Sequence, residues 1–320
     1  MRPSPSQPIV TPSRACRHVL HVDDDTILPK HFVLDEAKFA NPRVSAVSFG
    51  IEMAHSNAVQ SAVDFELKLF STFRQLQAHW STVWFCHGIV GLWRRERLAA
   101  LLAVHPFLPF GEDGWLGMLN LLNNHQMEMD LRSAVRSFAP GTLLPAMHDR
   151  LQGYGASSIW KQRALRWFVN APRRMGWRVL LMAMYDCGDL GRNVAFRLFS
   201  LHHIVRILVV LLVLPMEFVL SLGTQSVSVL LLWLSVVYAS VVLEGAMVNC
   251  IVWRGRPSMQ VTLRTLLLQP LYYQFLILCS VVGHWRCILY YIPFVPMNCR
   301  IKAAPCELAS QMRHASMDLI

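Results

Sequence analysis

The chain of 320 residues carries 30 Lys+Arg against 20 Asp+Glu, a net charge of +10, with 54% hydrophobic and only 16% charged residues. Globular chains average about 25% charged residues, so the composition excludes a disordered chain and is too apolar for an ordinary soluble one. The deficit is local, since from Ile204 to Val248 the only formal charges are Arg206, Glu217 and Glu244. The positive balance suits flanks that face anionic lipid, or a site for an anionic substrate. No Lys/Arg run with interleaved aromatics points to nucleic acid.

Residues 1–16 read as a disordered or mispredicted start, rich in Pro and Ser and without the apolar run of a signal peptide. Val19 to Val22 is a short apolar run that ends in three aspartates, the pattern of a buried strand closing in a loop. Arg43 to Ile51 is a second predicted strand, Val59 to Gln77 a helix, Thr82 to Cys86 a third strand and Arg94 to Val104 a helix. After a GED turn, Trp115 to Asn123 continues as helix and Leu131 to Phe138 as a weaker strand. Strands alternating with helices predict an α/β domain over residues 17–155.

Residues 156–203 mix Arg163, Arg166 and Arg178 with Trp160, Trp167 and Trp177, which suits interfacial helices at a membrane surface. The region 204–297 is predicted to be transmembrane, with a polar tail at 298–320. Ile204 to Leu222 and Val227 to Val248 are long enough to cross a hydrocarbon core of roughly 30 Å at about 1.5 Å per residue. Leu266 to Val282 is a third, shorter span, and Cys287 to Pro296 is re-entrant or interfacial. Arginines precede the first span and follow the second, whereas Gly223 to Ser226 between them is uncharged, so the α/β domain is expected in the cytosol. The eight cysteines form no CxxC pair and indicate neither a disulfide framework nor a zinc site.

Four elements can carry chemistry. Asp23, Asp24 and Asp25 sit at the carboxyl end of a predicted strand, where open α/β sheets place ligands. Strand alternation turns Asp23 and Asp25 the same way, a pair of hard oxygen ligands for Mg²⁺ or Mn²⁺. The bland reading is a solvated acidic loop or a helix N-cap. His87-Gly88-Ile89-Val90-Gly91 is a glycine turn between a strand and the helix of Arg94 and Arg95, either a backbone-lined sugar or phosphate loop or a purely structural turn. Glu112 and Asp113 open a helix, as dipole-satisfying carboxylates or with one of them as a general base. Within KQRALRW, Arg163 and Arg166 lie near one helix face and Trp167 one turn from Arg163, fit for a pyrophosphate and a sugar ring, or for anchoring an interfacial helix.

In chain order DDDT, HGIVGLWRRERL, FGEDGWLG and KQRALRW precede the apolar spans. Over about residues 17–250 this resembles the processive, inverting family 2 glycosyltransferases, which include hyaluronan, chitin and cellulose synthases, and in particular the fungal hyaluronan-synthase-like polysaccharide synthases. The resemblance implies a partial GT-A-type catalytic domain followed by an interfacial helix and an α-helical transmembrane region. It implies a metal site at Asp23 and Asp25, a catalytic base at Asp113, diphosphate binding at Arg163 and Arg166, and acceptor binding at Gly88, Arg94, Arg95, Gln162 and Trp167. The family spacing puts its Gln at residue 163, which is Arg here, with Gln162 one residue early. Only 22 residues precede Asp23, without a donor-binding strand-helix-strand pattern, so the chain reads as truncated at its N-terminus.

The resemblance further implies a multi-pass protein of the plasma membrane that builds a cell-wall polysaccharide. Its partners would be a UDP-sugar donor, a polysaccharide acceptor, lipid and a possible second copy of the chain, with no nucleic acid. Two other classes compete: a non-catalytic membrane scaffold for a full-length synthase, and a glycoside hydrolase using Asp25 and Asp113.

Overall fold

The computed structural model describes residues 16–105, 111–145, 158–213, 227–256 and 259–291. The predicted start at residues 1–15, part of the first predicted span and the polar tail lie outside them. The protein is mixed α/β, a small mixed sheet followed by long helices.

Strand β1 (His18–Val22) is followed by a short 3-10 turn (Glu36–Phe39), β2 (Val44–Ala54) and the long helix α1 (Ala58–Trp80). Asn57 opens α1 by accepting the Gln60 amide at 2.9 Å, which satisfies one of the orphan donors of the first turn. Next come β3 (Val90–Arg94), α2 (Arg95–Ala103), α3 (Glu112–Leu122) and β4 (Gln126–Phe138). The sheet order is β1-β3-β2-β4, with β3 antiparallel to both neighbours and β2 parallel to β4. The carboxyl ends of β1, β2 and β4 therefore share one end of the sheet with the start of β3.

One strand differs from expectation. Thr82 to Cys86 forms no strand, its ties to β4 including Val83 N to Met127 O at 3.0 Å and Met127 N to Thr82 Oγ1 at 2.8 Å. The strand is instead Val90–Arg94, because the HGI turn, closed by Val90 N to His87 O at 3.1 Å, reverses the chain into the slot between β1 and β2. The glycine loop thus precedes a strand rather than a helix. β4 is also longer than predicted, and its register with β2 jumps between Phe49/Asp130 and Gly50/Ala134. The displaced Arg132 grips Asp130 at 2.5 Å and Asp35 at 2.6 Å.

Helix α4 (Ile159–Gln162) runs into a π turn (Arg163–Trp167), a 3-10 turn (Phe168–Asn170) and α5 (Ala171–Met184). Helix α6 (Leu190–Leu208), capped by Asp189, continues as a π turn to Val213. It begins well before the predicted span at Ile204, so the boundary between interfacial and spanning segments at residue 203 has no break in the helix. Helices α7 (Val227–Met247) and α8 (Leu263–Arg286) each run on into a further π turn. The third predicted span therefore joins the first part of the segment expected to be re-entrant.

Among the described residues two helices, Leu190–Leu212 and Leu263–Leu289, are long and apolar enough to cross a membrane. In α8 the buried face mixes Thr265, Gln269, Tyr272 and His284 with Leu266, Leu276 and Cys279, while Leu263, Leu267, Leu271 and Leu278 stay exposed. A row of exposed leucines departs from the polar outer face of a water-soluble helix.

Helix α1 is the hub between sheet and apolar helices. Its Phe65 meets the Trp253 ring edge-on at 6.1 Å, its Thr72 Oγ1 accepts the Trp253 indole N–H at 2.8 Å, and Gly245 of α7 leaves room for Phe65. Trp253 is fully buried. Trp253→Ala is expected to destabilise the protein in detergent by about 3–5 kcal/mol, measured as a shifted denaturation midpoint. Leu243→Ala, on the exposed side of α7, should leave that midpoint unchanged.

Candidate functional site

β1 ends at Val22, and the Asp23 amide continues its ladder by donating to Ile89 O at 3.0 Å. The chain then turns, Thr26 N donating to Asp23 O at 3.1 Å, and crosses the sheet end to pair Ile27 with Arg136 of β4. Asp24 and Asp25 are thus turn residues, and the strand alternation expected to align Asp23 with Asp25 does not operate. What separates the three is environment. Asp23 and Asp24 are exposed as whole residues, although the Asp23 carboxyl is partly desolvated, whereas Asp25 is half-buried and accepts the Ser137 hydroxyl at 3.3 Å.

Burial pushes the Asp23 carboxyl up to about 6, with His21 opposing and the carboxylates of Asp25, Asp24 and Glu112 adding to the rise. Asp25 is likewise raised, by burial first and by Asp24. Acidic groups from β1 and from the start of α3 therefore crowd together at one end of the sheet. Among the described residues no three His, Cys, Asp or Glu side chains gather closely enough to hold an ion on their own.

Helix α3 starts from Gly111 at φ 74°, a left-handed conformation that favours glycine. This start delivers Glu112 to solvent near Asp23 and Asp113 to the glycine loop. Asp113 Oδ2 accepts the Gly88 amide at 3.2 Å and Oδ1 the Gly114 amide at 2.6 Å, which fixes the plane of the carboxylate. Gly117, one turn on, has no side chain where α3 presses against the backbone of Trp84 and Phe85.

His87 joins this end of the sheet to the π turn. Its ring stands edge-on to Trp167 at 5.9 Å and to Phe70 at 6.3 Å, and its Nδ1 accepts the Ile89 amide at 3.3 Å. Burial lowers its pKa to about 3, with Arg74 and Arg163 adding to the effect and Asp113 opposing it. The imidazole is therefore neutral at physiological pH.

The π turn brings residues four apart onto one face. The Arg163 guanidinium lies over the Trp167 ring at 3.5 Å from its centroid. Arg163 is fully buried and donates to Glu66 Oε2 at 2.8 Å, so it is committed to protein partners rather than open to a diphosphate. Burial opposes its charge, but Glu66 and Tyr272 hold its pKa above the ordinary value. Arg166 is half-buried beside it in sequence, and Gln162 is buried.

Arg94 and Arg95 fall elsewhere. His18 pairs with Arg94 and Val22 with Val90, so Arg94 lies at the opposite end of the sheet, about 14 Å from Val90 at ~3.4 Å per strand residue. Its guanidinium donates to Val44 O at 2.7 Å and Phe39 O at 2.5 Å, a structural role. Three residues that sequence reasoning did not single out belong to the site's surroundings, namely His87, Glu66 and Tyr272. His87 was part of a noted loop. Glu66 and Tyr272 gave only the weak signal of polar groups in largely apolar helices.

The structure thus brings together Asp23, Asp25, Gly88, Asp113 and Trp167, and separates them from Arg94 and Arg95. No protein-family model matches this sequence, and no curated protein matches it.

The Asp23 shift has a signed consequence. An acid whose folded pKa lies above its unfolded value lowers stability as pH rises through the interval between them. That interval is from about 4 to about 6 here. Asp23→Asn should raise the melting temperature at pH 7.5, and the gain should vanish as pH falls to about 4, measured by thermal unfolding across that range.

Proposed function

We propose that the chain is a membrane-bound inverting glycosyltransferase that moves a sugar from a UDP-sugar to a growing β-linked polysaccharide. The observation that carries the reading is the contact between Asp113 and Gly88 at the sheet end that also holds Asp23. Chain segments far apart in sequence, each matching a motif of the processive family 2 enzymes, meet there with Trp167 next to His87.

The crowded carboxylates suit a divalent cation. Asp23 and Asp25 would hold Mg²⁺ or Mn²⁺, which when bound supplies positive charge against the departing diphosphate and shares its oxygens as ligands. The Asp113 carboxylate takes the proton of the acceptor hydroxyl. That oxygen forms the new bond to the anomeric carbon while the bond to the diphosphate oxygen breaks, and one in-line attack inverts the anomer. Arg166 meets phosphate charge, and Trp167 offers a flat face on which the acceptor ring stacks. Arg163 has no direct part, because its charge is spent on Glu66.

The exposed leucines of α6 and α8 support membrane association, and the arginines flanking the apolar segments favour the sheet domain in the cytosol; a multi-pass arrangement in the plasma membrane is part of the proposal. A second reading, a non-catalytic partner of a full-length synthase, draws on β1. Among the described residues it is an edge strand, paired only with β3, beside the acidic turn where a donor-binding unit is expected.

In membranes containing the full chain, Asp113→Asn should lower polymer formation from UDP-sugars by about 10² to 10⁴ and leave UDP–Mn²⁺ affinity nearly unchanged. Glu112→Gln should do less. Normal synthesis by Asp113→Asn would remove Asp113 as the base. A wild type that neither binds UDP nor forms polymer would favour the scaffold reading.

A further inference from the structure

Trp167 is fixed by a chain of contacts that begins in an apolar helix. Tyr272 of α8 donates its hydroxyl to Glu66 Oε2 at 2.8 Å, and the same oxygen accepts Arg163 Nη2 at 2.8 Å. The Arg163 guanidinium then lies over the Trp167 ring at 3.5 Å, and Trp167 packs T-shaped with His87, whose neighbour Gly88 donates its amide to Asp113. One carboxylate of α1 therefore joins α8 to the π turn, with Arg163 wholly buried and Tyr272 nearly so. Gly283 of α8 lets the same turn approach closely, since a Cβ there would meet Phe168 Cβ at 2.7 Å and Ala164 O at 3.0 Å.

We propose that Glu66 and Tyr272 are positioning residues which, through Arg163, set the orientation of Trp167, so that helix α8 governs the acceptor platform. The proposal rests on the reading of Trp167 as the surface that stacks a sugar ring. Its physical basis is that a buried guanidinium goes where its counter-charge is. Moving or weakening Glu66 moves Arg163, and Arg163 is the plane against which the indole rests. The fully buried charge of Arg163 makes this link necessary, because it requires a carboxylate partner.

The test uses the full chain in detergent with four substitutions: Tyr272→Phe, Glu66→Gln, Arg163→Gln and Trp167→Phe. The chain has 10 tryptophans, so the Trp167 signal is taken as the difference in emission and acrylamide quenching between each background and the same background with Trp167→Phe. Cellopentaose and chitopentaose serve as acceptor probes, and UDP with Mn²⁺ as the donor-side control.

Tyr272→Phe, which keeps the ring and its packing, and Glu66→Gln should each alter the Trp167 signal. Each should weaken oligosaccharide binding about tenfold, the scale of a lost hydrogen bond to a charged group, while UDP–Mn²⁺ affinity changes less than twofold. In the Arg163→Gln background, Tyr272→Phe should change the Trp167 signal no further, as expected when the effect passes through Arg163. An unchanged Trp167 signal in both Tyr272→Phe and Glu66→Gln overturns the proposal, whatever the ligand results. A shifted signal in a protein whose wild type binds neither oligosaccharide keeps the link and removes the acceptor reading. If Glu66→Gln fails to fold, Tyr272→Phe alone decides.

Discussion

The Arg163–Glu66 ion pair is the constraint around which the rest of the structure is arranged. A fully buried guanidinium is tolerable only with a counter-charge in contact, and removing one partner of such a pair typically costs about 3–5 kcal/mol. Glu66 supplies that charge from α1, and Tyr272 adds a hydrogen bond to the same carboxylate from α8. Three elements with no reason to meet on local grounds are thereby fixed to one point: the helix that packs on the sheet, the turn that carries Arg166 and Trp167, and an apolar helix. The geometry around Trp167 follows from this, because its ring has the guanidinium over one face and packs T-shaped with His87.

The sheet contributes the other half. Since β3 enters between β1 and β2 in antiparallel sense, the end of β1 and the start of β3 lie together, and Asp23 becomes a neighbour of the His87–Ile89 loop. α3 then brings Asp113 to Gly88. The result is an acidic, partly buried corner beside an aromatic surface and a cationic turn. In the proposed reading the corner takes diphosphate and cation and Trp167 the sugar ring, and on that chemistry the glycosyltransferase reading is preferred to the scaffold.

Much of this was legible in the sequence, and the gaps have physical causes. The apolar run closed by Asp23 to Asp25 marks β1 and its carboxyl end, and Gly111 before two carboxylates marks the start of α3. Strand β3 was misplaced because Thr82 to Cys86 and Val90 to Arg94 both have strand-like composition. The choice between them is made by which stretch fills the slot between β1 and β2, a non-local matter that propensity does not record. The same displacement explains Arg94, which sits next to the glycine loop in sequence but is carried by an extended strand to the far end of the sheet. Alternation failed for the aspartates because the strand stops one residue before them. Glu66 and Tyr272 were invisible as a pair, being 206 residues apart.

The central claim, that the corner formed by Asp23, Asp25 and Asp113 is a nucleoside-diphosphate and divalent-cation site, is tested most directly by titrating UDP and Mn²⁺ against each other by calorimetry on the full chain in detergent. The account predicts reciprocal tightening, each ligand raising the affinity of the other by the same factor, and loss of that coupling in Asp23→Asn. Independent binding of the two ligands, or coupling that survives Asp23→Asn undiminished, would contradict it.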